Sequence, residues 1–335
     1  MVFSTRGELL QLVDKLAEVK INVVGDIIVD RYLWGKVERI SPEAPVPIVE
    51  VKKTEDRLGG AANVAHNLAA LGVKTDLFGF IGDDEDGEAA LQMLRRAKIG
   101  IEGVITERTR PTILKTRVIA QVQQLLRVDK EIKGAPSTIL GEALAAAVES
   151  HIDTSHGTIV SDYGKGVVNP MLMTRLKKAK DEGRLNHSSR PYMLDPYPTN
   201  FSMYSAVSIA KPNRKEAERA TGMQIRTKED ARIAGEKLLR EWNAELILIS
   251  LGEDGLGIVS RDSWTHLNTI AQDVYDVSGA GDTVTAVFTA SLAAGASQQL
   301  AGDLANIAAA NVVSKIGTAV VTAEQLKADI ENLRY

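Results

Sequence analysis

The sequence predicts an α/β fold, with a mostly parallel central sheet, helices on both of its faces and a small β lid above it. Three observations lead there. Short apolar segments alternate with amphipathic ones through Gly/Asp turns along almost the whole chain, as parallel strands joined by crossover helices do. Two stretches break that alternation, and both are polar–apolar ribbons without a crossover helix. No internal repeat, low-complexity segment or long linker interrupts the 335 residues. This predicts one domain over 1–335, with lid ribbons at about 31–57 and 110–130.

The elements follow in order. Leu9, Leu10, Leu12, Val13 and Leu16 recur at helical spacing in the first 20 residues, with Glu8, Asp14 and Glu18 among them. Residues 21–29 read as a strand ending in Asp30, 61–71 as a helix, 75–81 as a strand and 88–97 as a helix. Helix 139–150, strand 158–161 and helix 170–181 continue the rhythm. Residues 192–194, 206–209 and 246–250 read as short buried strands, with helices at 215–221 and 228–242 between the last two. The last helices fall at 284–294 and 298–316. The exceptions are residues 32–52, where Val37, Ile40, Val46, Ile48, Val49 and Val51 stand among Pro42, Pro45 and Pro47, and residues 112–129, a pair of polar–apolar strands. Such ribbons suit a lid over the ends of parallel strands, although they can also extend the sheet edge.

Composition narrows the function. Forty basic against 44 acidic residues give a net charge of −4, which points to no nucleic-acid or membrane surface. There is no cysteine, so disulfides, thiolate zinc sites and a cysteine nucleophile are excluded. The first 20 residues lack a secretory signal pattern, and no apolar run approaches the roughly 18 residues of a membrane span. A cytoplasmic location is expected. The five histidines (66, 151, 156, 187 and 266) have no ligand spacing.

The densest chemistry lies in residues 274–284. A turn-rich lead-in reaches Gly279-Ala280-Gly281-Asp282, and a helix follows. The glycines allow backbone amides to approach an anion, and the helix adds partial positive charge at its start. Asp282, in the first turn, can take a proton beside a phosphate in transfer. Taken alone, the corner is also an ordinary helix start capped by an acid. No Walker-type loop and no dinucleotide fingerprint is present.

Other candidates surround this corner. Asn213 and Glu216 stand three apart at a helix start, where both can face a metal–phosphate group, with Glu216 as the Mg²⁺ residue directly or through water. The same spacing is that of a simple capping box. Ser250, Gly252 and Gly255 form a strand end and turn suited to a nucleotide edge, and Asn306 lies in a small-residue helix segment able to pack against a flat ring. Asp26 and Asp30 follow the first strand and Gly59, Gly60 and Asn63 open a helix, places where polyol ligands are commonly held. Lys115, Arg117 and Arg127 on the second ribbon, and Lys165 in 161–166, can clamp a phosphate on the substrate. Each is equally a solvated or capping residue when read singly.

Together these residues resemble the ribokinase-like (PfkB) family of sugar kinases, over about residues 21–321. Gly59-Gly60-Ala61-Ala62-Asn63 is similar to the family's N-terminal signature, and residues 276–283 to its C-terminal one. Residues 25–32, 39–47, 123–129 and 161–166 resemble the branch that phosphorylates D-glycero-β-D-manno-heptose 7-phosphate at C1, for ADP-heptose and lipopolysaccharide core precursors.

The resemblance implies a ribokinase-like three-layer sandwich with a β lid that pairs two subunits into a homodimer. It implies Asp282 as base and Gly279, Ala280 and Gly281 as anion hole. Asn213 and Glu216 would serve Mg-ATP, and Asp26, Asp30, Gly60 and Asn63 the sugar. ATP and Mg²⁺ are the implied cofactors, with a monovalent cation as an open third.

Three departures stand out. The nucleotidyltransferase domain often fused to this kinase is not in the 335 residues, so a separate nucleotidyltransferase is expected downstream. Tyr197 follows Asp195-Pro196 where a lysine is expected, and residues 120–122 are less polar than expected. Two alternatives remain: a kinase for another sugar or sugar phosphate, and a catalytically silent sugar-binding regulator on the same fold.

Overall fold

The computed structural model of the protein describes residues 4–121, 123–271, 276–315 and 317–333. Val122, Val274, Tyr275 and Ile316, named above, and the first three residues of the N-terminal helical pattern lie outside the described residues.

The chain begins with α1 (Arg6–Lys15), whose Thr5 and Glu8 form a capping box. Strand β1 (Lys20–Gly25) enters the large sheet, and β2 (Ile27–Ile40) and β3 (Pro47–Gly60) leave it as a long hairpin. Helix α2 (Ala61–Ala70), β4 (Lys74–Gly82), α3 (Glu85–Arg96) and β5 (Gly100–Glu107) follow. A second hairpin comprises β6 (Ile113–Ala120) and β7 (Gln123–Lys130). Then come α4 (Thr138–His151), β8 (Gly157–Ser161), α5 (Pro170–Asp181), β9 (Tyr192–Asp195), β10 (Ile209–Ala210), α6 (Arg214–Thr221), α7 (Lys228–Glu241) and β11 (Leu246–Ser250). The chain continues with the edge strands β12 (Leu256–Ser260) and β13 (Trp264–Leu267), then α8 (Ala280–Ala293), α9 (Gln298–Val313) and α10 (Ala323–Glu331).

Nine strands form the large sheet in the order β13-β12-β11-β10-β9-β8-β1-β4-β5. Pairing is parallel from β11 to β5 and antiparallel at β11–β12–β13. Successive strand residues are buried on opposite faces: Val23, Met193 and Leu248 join one core, and Val24, Leu194, Ile247 and Ile249 the other. That double burial explains why these strands read as continuous apolar runs. Residues of α1, α2, α8, α9 and α10 fill the first core and those of α4, α5, α6 and α7 the second, giving three layers.

The two ribbons do not extend this sheet. β2 and β6 pair in parallel, joining the hairpins into a second sheet of order β3-β2-β6-β7. The expected single strand 21–29 is therefore two. The chain breaks at Asp26, whose fully buried carboxylate accepts three backbone N–H groups from the loop after β8, and β2 then turns into the small sheet. The strand expected at 206–209 is Ile209–Ala210 alone, because Ala206 has φ 59° and its N–H is bonded to Trp242 O in a buried loop. Helix α8 begins at Ala280 rather than 284, so Asp282 lies inside its first turn.

Candidate active site

From β1 the chain builds the sheet outward through β4 and β5, then returns to the other side of β1 to lay β8, β9, β10 and β11. The switch point lies between β1 and β8, and ligands on open parallel sheets bind at the carboxyl ends of strands at such a point. Asp26 follows β1, Tyr163 follows β8, Asp195 ends β9 and Lys211 follows β10. The start of α8 packs across these ends.

Asp282 is 7% exposed and held from both sides. Asn63 Nδ2 donates to Oδ2 at 2.7 Å, and the Tyr163 hydroxyl donates to Oδ1 at 2.7 Å. Burial, and next the neighbouring Asp195 charge, push its pKa up to about 6, against the pull of those hydrogen bonds and of Lys211. Asn63 is held in turn: Asn67 Nδ2 donates to its carbonyl at 2.9 Å, and Thr283 Oγ1 donates to Asn67 Oδ1 at 2.8 Å.

The helix start itself fits an anion. Gly279 caps α8 at φ 82° with no side-chain hydrogen bond to the first-turn amides. A Cβ at Gly281 would stand 3.4 Å from Lys211 Nζ, so glycine leaves a gap between helix backbone and ammonium. Lys211 is 3% exposed and paired with Asp195 Oδ1 at 3.2 Å, while Thr285 Oγ1 donates to Asp195 Oδ2 at 3.1 Å. Burial pulls the Lys211 pKa down, but Asp195, Glu216 and Asp282 outweigh it and the net shift is upward. A permanent cation therefore stands among three carboxylates at the mouth of the helix.

The remaining candidates divide. Asn213 and Glu216 form a complete capping box at α6, the Glu216 carboxylate accepting from Asn213 N at 2.8 Å. The capping reading holds, yet Glu216 also faces Lys211, and burial raises its pKa. Asn213 bridges to Ser250 at the end of β11, with Gly252 and Gly255 framing the turn beyond. Asn306 is committed elsewhere, donating to Asn268 O at 2.7 Å. Among the described residues no group of three or more His, Cys, Asp or Glu is placed to hold a metal ion.

Of the residues expected to hold a sugar, Gly59 and Gly60 end β3 opposite Ile28 and Ile27, and Gly60 starts α2. Asp26, also expected to hold the sugar, is fully buried, and its carboxylate accepts three backbone amides that shape the 161–167 loop. Asp30, 5% exposed, accepts from Arg117 at 2.5 Å. Arg127 pairs with Asp129 along the exposed strand β7, and Lys165 pairs with Glu131 at 2.7 Å. Lys115 makes no such ion pair among the described residues; its ammonium lies 5.5 Å from the Tyr163 ring centroid, and burial lowers its pKa against the charges of Asp30 and Asp129. Tyr163, Lys211 and Asp195 were not singled out as site residues. The signal was an acid or cation ending a buried strand, at 195 and 211, and a tyrosine inside the 161–166 motif.

A buried carboxylate at Asp282, the cation Lys211 and an open helix start at Gly279 stand together, and phosphoryl transfer calls on a base, a cation and an anion hole of this kind. The fold and site thus define a phosphotransferase class. Residues 19–325 match the pfkB family carbohydrate kinase, and the chain belongs to that family. It is 41% identical over 321 residues to the bifunctional protein HldE of Desulfatibacillum aliphaticivorans, covering 96% of this chain and 65% of that protein. It is 42% identical over 308 residues to the bifunctional protein HldE of Helicobacter pylori strain J99, covering 92% and 65%. The chain thus spans just under two thirds of these relatives. The structure of Arabidopsis thaliana ribokinase complexed with ribose and ATP shares the fold at a TM-score of 0.77, covering 93% of this chain and 99% of that one at 21% identity.

Proposed function

We propose that the protein is an ATP-dependent kinase that phosphorylates the C1 hydroxyl of D-glycero-β-D-manno-heptose 7-phosphate to the 1,7-bisphosphate, as a single kinase domain lidded by the small sheet. The observation that carries the kinase reading is Asp282, a buried carboxylate one residue from the gap between Gly281 and Lys211. ATP supplies the γ-phosphoryl group, and Mg²⁺ bound with it would screen its charge. The acceptor hydroxyl lies against Asp282, which takes its proton as the acceptor O–P bond forms and the bond from the γ-phosphorus to the β–γ bridging oxygen breaks, ADP leaving with that electron pair. Lys211 and the backbone at Gly279, Ala280 and Gly281 balance charge on the group in transfer. Asn213 and Glu216 face the nucleotide phosphates, with Ser250, Gly252 and Gly255 along its edge. Burial of Asp282 and Lys211 keeps water from competing as acceptor.

Support for the heptose phosphate comes from the resemblance of residues 25–32, 39–47, 123–129 and 161–166, and from the HldE relatives. Lys115 adds a chemical reason. Of the four basic candidates, Arg117, Arg127 and Lys165 have carboxylate partners, whereas Lys115 is partly buried with no ion pair among the described residues. An ammonium so placed suits a phosphate that arrives with the substrate. Lys115→Gln should raise KM for the phosphosugar about 10-fold or more, with a smaller change in kcat, and leave KM for ATP unchanged. Steady-state kinetics with each substrate varied checks this, and an unchanged phosphosugar KM would move the phosphate elsewhere.

The small sheet is proposed as the homodimer interface. Ile40 (60% exposed), Val46 (51%), Val51 (46%), Leu126 (56%) and Val128 (52%) stand out on it, more apolar surface than a solvated flap needs. Light scattering of the purified protein should give twice 36.2 kDa, and Leu126→Lys with Val51→Lys should give a monomer. A monomeric wild-type protein would remove the interface. The downstream nucleotidyltransferase is proposed to act from outside residues 1–335.

A further inference from the structure

We propose that Tyr163 is a positioning residue for Asp282: its hydroxyl fixes the carboxylate's orientation and favours its ionised form, so that it can act as a base. The loop after β8 is shaped for this. Asp26, buried at the end of β1, accepts from the backbone N–H of Tyr163 at 2.9 Å, Lys165 at 3.0 Å and Val167 at 3.1 Å. Three alternate amides drawn onto one carboxylate leave the loop a single path, and that path aims the Tyr163 side chain at α8. Its hydroxyl and Asn63 Nδ2 take one carboxylate oxygen each. A carboxylate clamped at both oxygens cannot rotate about its Cβ–Cγ bond, so its remaining lone pairs point in fixed directions.

The proton on the phenol stays there. Burial, and next the charge of Asp282, raise the Tyr163 pKa well above its usual value, so at neutral pH it only donates. Donation to the ionised carboxylate favours that form. The groups facing Asp282 come from every neighbouring element: Asn63 on α2, Tyr163 after β8, Asp195 at the end of β9 and Lys211 after β10. Asp195 opposes ionisation, and Lys211, Asn63 and Tyr163 favour it. Tyr163 is also the link to the lid, because Lys115 on β6 lies over its ring, a contact through which lid position reaches the base.

The kinetic consequence rests on the kinase reading above; the titration does not. Tyr163→Phe keeps the ring and removes only the hydroxyl. In the sugar-free protein, the Asp282 carboxyl titration, followed by ¹³C NMR of labelled aspartate and assigned by its loss in Asp282→Asn, should move up by about one to two pH units, the worth of one hydrogen bond to a charged group. The acid limb of the kcat–pH profile should move with it, so turnover lost at pH 7 recovers at higher pH while the acceptor KM stays within about twofold. Replacement by 3-fluorotyrosine, a stronger donor of nearly the same shape, should move both downward and separates donation from packing. Unmoved midpoints in both variants would overturn the proposal, as would a turnover loss equal at every pH. A wild-type protein with no turnover on any sugar would sink the kinase reading and leave the NMR comparison to decide Tyr163.

Discussion

Asp282→Asn should lower kcat by about 10²- to 10⁴-fold, the range for loss of a positioned general base, while leaving Mg-ATP affinity within a small factor. Asparagine has nearly the shape of aspartate but no oxygen able to take the acceptor's proton. The same variant has a signature in stability. The folded-state pKa of Asp282 is raised to about 6 from 3.8, so the native state binds its proton more tightly than the unfolded chain. Its contribution is therefore fully present below about pH 4 and is lost as the pH rises through about 6, by an amount on the order of 3 kcal/mol. Asp162, also raised to about 6, chiefly by burial, adds the same trend in both proteins and cancels in the comparison. The stability of wild type minus that of Asp282→Asn should fall between pH 4 and pH 6.5, as read from denaturant melts. A flat difference would mean that Asp282 is not buried as described, and unchanged kcat would remove it as the base.

Lys211→Met should cost about 10²- to 10³-fold in kcat, comparable to removal of one preorganised group from a transition-state anion site. It should also destabilise the fold, because Asp195 loses its buried partner, and a buried charge left unpaired costs about 3–5 kcal/mol. The double variant Lys211→Met, Asp195→Asn separates the two effects. Without the orphaned charge it should regain most of the stability and none of the turnover. Recovery of turnover along with stability would make Lys211 a packing residue. Urea melts and single-turnover phosphoryl transfer on the same preparations give both readings.

The framework was legible because its signals are local. Pro170–Asp181 and Leu246–Ser250 coincide with the expected elements, since a helix or a doubly buried strand announces itself within a dozen residues. β5, the β12–β13 hairpin and α10 were not anticipated; β13 is at most half-buried over three of its four residues and α10 buries only Leu326 and Ile330, so the apolar patterns of these two are thin, while β12 is buried over four residues but only five long. The site shows the same division. Gly279 to Asp282 could be read because cradle and acid are contiguous in sequence. Tyr163 meets Asp282 across 119 positions and Asn63 meets it across 219, contacts made only when β8 and α2 are brought to the start of α8. The amides on Asp26 are hidden for the same reason: a strand-end aspartate reads as open, and only the folded path of residues 163–167 brings three backbone N–H groups to it.

The proposed reaction is phosphoryl transfer to the C1 hydroxyl of heptose 7-phosphate at Asp282. Its most direct test is Mg-ATP-dependent ADP release by the purified protein with heptose 7-phosphate, fructose 6-phosphate, ribose and fructose as acceptors, and with Asp282→Asn alongside. Turnover on the heptose phosphate above the other sugars, lost in the variant, with ³¹P NMR placing the new phosphate at C1, is the predicted result. Preferred turnover on another acceptor would contradict the substrate, and silence on all four with ATP and sugar still bound would contradict the enzyme.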